Sequence, residues 1–207
     1  METNHEPEHH HFMSIPGELG GFIVPQKVYT PPSSNFTYSP EETITFGDTG
    51  VHLAAASTNE FLQGDFERTG MTDGIEIAPL IGNSDKVTVK ILWPGCQSYD
   101  TTISVREMFQ GIRRNITKAK LAHRVAKAIN KFLNPENRTR SESWEEADRT
   151  GWNPDDIPLG RLILFELRHV SSGSYQPVLL LIHEPTPNAL ENYPVDNTPV
   201  NDINQLE

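Results

Sequence analysis

Residues 106–131 hold Arg106, Arg113, Arg114, Lys118, Lys120, Arg124, Lys127 and Lys131 against a single acid, Glu107, in a chain whose net charge is −11. Positive charge is therefore concentrated in one segment of an acidic protein. Such a segment can contact an anionic partner or neutralise the protein's own acids. Lys120, Arg124, Lys127 and Lys131 recur at i, i+4, i+7 and i+11, which is one narrow arc of a helix. With Arg113 and Arg114 just upstream they form the candidate contact for an anion or a partner. The arc spans about 16 Å of helix, and phosphates along a duplex strand stand about 3.4 Å apart, so several could be bridged. Against nucleic acid stand the overall negative charge and the lack of a stacking platform, since Phe109 and Phe132 are expected in the core. The expected internal partner is the acidic connection containing Glu145, Glu146 and Asp148.

Other reactive side chains are scattered. Cys96 could serve as a nucleophile only beside a base and with a depressed pKa. His123, His169 and His183 have no spacing that pairs them with it. Glu8 with His9, His10 and His11 could hold a metal loosely, but adjacent histidines in a tail are not preorganised. His169 and His183 lie on strands expected to oppose each other, with no third ligand in view. Glu145, Glu146, Asp148, Asp155 and Asp156 sit in a polar connection rather than a convergent cleft. No GxSxG, P-loop, HExxH or GxGxxG motif occurs. No catalytic residue, metal ligand or cofactor is assigned.

The elements that position these residues follow from periodicity. Val87, Val89 and Ile91 alternate with Lys86, Thr88 and Lys90, the period of a half-buried strand over 86–93. Trp93-Pro94-Gly95 ends it, and 101–105 is a second short strand. Residues 117–133 predict a helix opened by Thr117 as N-cap and closed by Asn134-Pro135. Leu121, Val125, Ile129 and Phe132 form its apolar stripe. Ser143 fits a capping box for one helical turn. Residues 161–170 and 175–183 read as two strands joined by a four-residue loop, Ser171–Ser174, with Pro177 placing the second strand late or at an edge. Residues 51–56 read as either a strand or the start of a helix.

These elements predict an α+β class: a small antiparallel sheet packed on one amphipathic helix. The domain is expected over 48–184, between disordered tails at 1–47 and 185–207, whose Pro-, Asn-, Glu- and Thr-rich composition buries too little apolar surface. Gly21–Val24 is an apolar piece that could dock as an added strand. Thr30-Pro31, Ser39-Pro40, Thr186-Pro187 and Thr198-Pro199, all in the flanks, are formal acceptors for proline-directed kinases. One cysteine excludes an internal disulfide. The absence of a basic and apolar leader, and of any long apolar run, predicts an intracellular protein, cytoplasmic or nuclear, with no membrane contact.

Three blocks occur in order: Ile91-Leu-Trp-Pro-Gly95, Ile116-Thr-Lys-Ala-Lys-Leu-Ala122 and His169-Val-Ser-Ser-Gly-Ser-Tyr-Gln-Pro177. Together they resemble an uncharacterised family of fungal, mushroom-type proteins. The resemblance covers about residues 90–183 and implies a fungal source and one domain, with no activity attached. The residues themselves favour a non-enzymatic protein-interaction or scaffold domain. The alternatives are a nucleic-acid-associated protein using helix 117–133, and an enzyme with no linear motif.

Overall fold

Alternating β-branched residues at Val87, Val89 and Ile91 form the strand that the site is built against. In the computed structural model, which describes residues 21–31, 42–66, 69 and 71–182, this strand is Lys86–Ile91 (β4), preceded by Gly21–Ile23 (β1), Ile44–Thr45 (β2), Val51–His52 (β3) and a single helical turn, Leu53–Ala56 (α1). Residues 51–56 thus contain both a strand and a helix start. After β4 come Tyr99–Ser104 (β5), Arg106–Phe109 (β6), Ile112–Asn115 (β7), Lys118–Leu133 (α2), Trp144–Arg149 (α3), Leu162–Ser171 (β8) and Ser174–Ile182 (β9). The class is α+β.

The sheet is larger than the small antiparallel one expected. It has seven strands, ordered β2-β8-β9-β4-β5, with β1 also on β9 and β3 on β8. One pairing is parallel: Thr88 lies opposite Ser174 and Val89 opposite Tyr175. β6 and β7 form a separate two-stranded ribbon, an element that periodicity alone did not predict.

The N-terminal boundary at 48 is corrected. β1 pairs with β9 over Gly21–Ile23, and β2 pairs with β8 over Ile44–Thr45. Val24, Ile44 and Phe46 are buried in the core. These short apolar pieces are stabilised by long-range pairing, which window composition does not register. The remaining tail residues, 1–20, 32–41 and 183–207, lie outside the described residues, and with them His9–His11, His183, Ser39-Pro40, Thr186-Pro187 and Thr198-Pro199.

Two strand details also differ. The β8–β9 loop is two residues, not four, because Ser171 pairs with Ser174 and Gly173 takes φ +72°. Pro177 lies within β9, inside the sheet rather than at its edge. Its carbonyl accepts from Gln26 Nε2 at 2.6 Å. A strand residue directs its N–H and C=O to the same side, so the missing donor faces the Gln26 side chain and no ladder bond is lost. There β4 and β9 have diverged. Gln26 Oε1 accepts from Leu92 N and Gln176 Oε1 from Tyr29 N, so two glutamine side chains fill the gap.

α2 begins where predicted. Thr117 is the N-cap and accepts from Lys120 N. Leu121, Val125, Ile129 and Phe132 are fully buried, which favours the fold by about 1.5–3 kcal/mol each. Phe132 packs on Trp93 and Tyr99, at centroid distances of 5.7 and 5.5 Å. The face of β5 carrying Tyr99, with its register partner Ile91, therefore faces α2. Trp93-Pro94-Gly95-Cys96 closes β4 as a type II turn, with Cys96 N donating to Trp93 O and Gly95 at φ +75°. The α3 turn forms, but Ser143 makes no side-chain cap; its hydroxyl lies 3.0 Å from that of Ser141.

Candidate functional site

The six cations singled out in the sequence divide into two groups. Lys120 and Arg114 both bind Glu107, the one acid inside the basic segment, with the Arg114 pair at 3.1 Å. Arg113 pairs with Asp85. Arg124 donates to the backbone carbonyl of Ser104. Lys127 and Lys131 are exposed, with no ion pair among the described residues. The expected pairing of the arc with Glu145, Glu146 and Asp148 does not form. Glu146 binds Arg149, and Asp148 accepts from Asn153. The acidic connection is close in sequence, but the contacts of Glu146 and Asp148 are local, to Arg149 and Asn153.

Glu107 is the hub that fixes the β6–β7 ribbon to α2. Its side chain is 16% exposed. Burial pushes its carboxyl pKa up, but hydrogen bonds and charge from Lys120 and Arg114 outweigh that and hold it below the ordinary carboxylate value. The guanidinium of Arg114 also stacks on Phe109, 3.7 Å from the ring centroid. The ribbon turns at Gln110 and Gly111, at φ +50° and +79°, the pattern of a two-residue type I′ hairpin. That turn, between Phe109 and Ile112, was the signal in the sequence that could have found it.

A groove of about 440 Å³ runs between α2 and β5. Arg124, Lys127, Ala128 and Lys131 line one wall, and Thr101, Ile103 and Ser104 the other. β5 is the last strand of its sheet, so no strand among the described residues pairs with its outer side. The direction of its backbone groups follows from Val105, which donates to Asp85 O at 2.8 Å and accepts from Ile116 N at 3.0 Å. Both bonds point toward β4 and β7. Alternation then turns the N–H and C=O groups of Asp100, Thr102 and Ser104 outward, to the groove side. Arg124 meets the Ser104 carbonyl on that side. Past the start of β5 the edge is closed, where Gln97 N donates to Thr139 O.

The other reactive groups do not converge. Cys96 is half-buried, and burial above all pushes its thiol pKa up, with Arg138 opposing; a raised pKa is the reverse of what a nucleophilic thiolate needs. His123 is buried, with Nδ1 2.8 Å from Ala56 O. His169 Nδ1 lies 2.6 Å from Glu42 Oε2, against the Tyr175 ring. Asp155 pairs with Arg138. Among the described residues no three His, Cys, Asp or Glu side chains could hold a metal ion, and no helix is long and apolar enough to cross a membrane. No protein-family model, curated protein or solved structure matches this chain.

Proposed function

We propose that this protein is a non-enzymatic interaction module that takes up an extended acidic segment of a partner protein along β5. The observation that carries this reading is the open β5 edge facing a groove whose opposite wall presents Arg124, Lys127 and Lys131. A strand added to an exposed edge gains main-chain hydrogen bonds, while alternate side chains supply specificity. Here the alternate side chains would point toward α2, and acidic ones at i and i+2 would meet the cation row. Arg124 and Lys131 are about 10 Å apart along the helix axis, which is within reach of two to three such side chains at about 6.6 Å spacing.

Charge also selects among occupants. A second copy pairing through the same edge would set Lys127 and Lys131 near their counterparts, an unfavourable approach. A polyanion such as nucleic acid would need a continuous cationic track, and Glu107 and Asp85 interrupt it by pairing with Lys120, Arg114 and Arg113.

The test uses a fluorescein-labelled heptapeptide of alternating Glu and Val, a matched Lys and Val peptide, and mixed-sequence DNA and RNA, by anisotropy at about 50 and 200 mM salt. The acidic peptide should bind with salt-sensitive affinity. Binding should be lost in Lys127→Glu/Lys131→Glu. It should also be lost in Thr102→Pro, which removes an outward N–H without touching the β4–β5 ladder. Nucleic acid bound more tightly than the acidic peptide, or acidic-peptide binding unaffected by Thr102→Pro, would overturn the reading.

A further inference from the structure

The open edge does not stop at Ser104. β7 lies on the same side of the chain as β4, because Val105 bonds both Asp85 and Ile116 on that side. The β6–β7 register places Arg106 opposite Asn115 and Phe109 opposite Ile112 across a two-residue turn. In such a hairpin the pair closing the turn is hydrogen-bonded, so Phe109, Glu107 and Val105 all face inward. Arg106 and Met108 therefore continue the outward series of Asp100, Thr102 and Ser104. Among the described residues no strand pairs with the outer side of β5 or β6, so the two form one open edge that crosses from the main sheet onto the ribbon.

The side chains on the α2 face change character along this edge. Thr101 and Ile103 lie beside the cations of α2. Glu107 follows, bound to Lys120 and Arg114. Then comes Phe109, with its cross-strand partner Ile112; these are 45% and 70% exposed, and both are large apolar side chains held away from the core. Glu107 holds the ribbon against α2, and Arg114 braces the Phe109 ring. The apolar end is thus fixed in line with the groove.

Resting on the reading of β5 as a docking edge, we propose that the partner segment is bipartite. One end carries acidic side chains for the groove, and the other carries a large apolar side chain that packs on Phe109 and Ile112. Strand periodicity sets the spacing at about four to six residues between the first acid and the apolar anchor. The position opposite Glu107 takes no acid, because a like charge there is repelled. Antiparallel addition, the slightly stronger pairing, places the apolar residue N-terminal to the acids.

The experiment compares three labelled probes on the full chain: the acidic heptapeptide, and the same peptide extended by Phe-Thr-Thr-Thr at its N-terminus or by Thr-Thr-Thr-Phe at its C-terminus. One extension, expected to be the N-terminal one, should bind about tenfold or more tightly than the heptapeptide, the gain for burying an aromatic side chain. That gain should vanish in Phe109→Ala/Ile112→Ala and in Met108→Pro, while the heptapeptide binds all three proteins alike. Heptapeptide binding with no gain from either extension, or a gain unchanged in the variants, overturns this inference and leaves the groove intact. Absence of binding by any probe, with DNA and RNA also inert, overturns the groove reading itself. Melting curves of each variant verify that the fold is retained.

Discussion

Gly95 shows how one residue can limit the scaffold beneath the site. It has φ +75°, and a Cβ there would stand 2.5 Å from Ala147 Cβ. Gly95→Ala is expected to cost about 1–3 kcal/mol from the left-handed backbone alone, with the clash added, and to loosen α3 from the Trp93 turn. Denaturant unfolding measures this. Trp93 beside it is buried and donates Nε1–H to Trp152 O at 2.7 Å. Leu121 and Ile129 have no exposed surface. Leu121→Ala or Ile129→Ala should each cost about 2–5 kcal/mol, and a loss under about 0.5 kcal/mol for both, far below the usual range, would show that the stripe does not pack as described. Lys127 and Lys131 are exposed, so reversing their charge should leave stability within about 0.5 kcal/mol. This separation of core stripe from cation row makes the binding variants interpretable.

At the scale of elements, the β6–β7 ribbon is held by charge more than by packing. Met108, Phe109 and Ile112 are exposed, whereas Glu107 is enclosed by Lys120 and Arg114. The pKa of Glu107 is depressed in the folded protein. Its contribution is therefore present above the ordinary carboxylate value of about 4.3. It is lost as pH falls through the lower folded value. Amide exchange of the ribbon should accelerate in that acidic window before the main sheet opens. Glu107→Gln should produce the same acceleration at neutral pH and remove its acid dependence. A ribbon whose exchange tracks the main sheet at every pH would refute this account. At the opposite end of the scale, Lys118 is half-buried, which lowers its pKa, but hydrogen bonds and charge from Asp73 and Glu76 outweigh this and raise it. The clamp at the start of α2 is therefore complete below the ordinary lysine value and is lost only as pH rises through the still higher folded value.

For the whole molecule, the first strands decide where the folding unit begins. β1 covers the end of β9, Val24 N donates to Leu179 O, and Gln26 bridges β9 to the residue after β4. A chain starting at 48 loses these contacts together with buried Val24, Ile44 and Phe46. It should lose several kcal/mol, since burying each such side chain is worth about 1.5–3 kcal/mol, and should melt broadly or not fold. A chain starting at 20 should melt cooperatively, close to the full-length protein. Calorimetry of the two truncations distinguishes these outcomes, and equal melting temperatures would show that the early strands contribute nothing.

The sequence by itself determined α2, with its Thr117 cap, its apolar stripe and its cation row, and the strands at 86–91 and 162–182 to within a residue or two. Each is a local pattern, because helix and strand periods are written in consecutive residues. It also marked Arg113, Arg114, Lys120, Arg124, Lys127 and Lys131 as a group, since they share one segment. What each cation does was decided only by tertiary structure. Lys120 and Arg114 meet Glu107, Arg113 meets Asp85, and Lys127 and Lys131 flank an open strand edge. The parallel pairing of β4 with β9, the docking of β1 and β2, and the freedom of the β5–β6 edge likewise depend on residues far apart in the chain. The edge is open because no other strand among the described residues reaches it, and no window of sequence contains that fact.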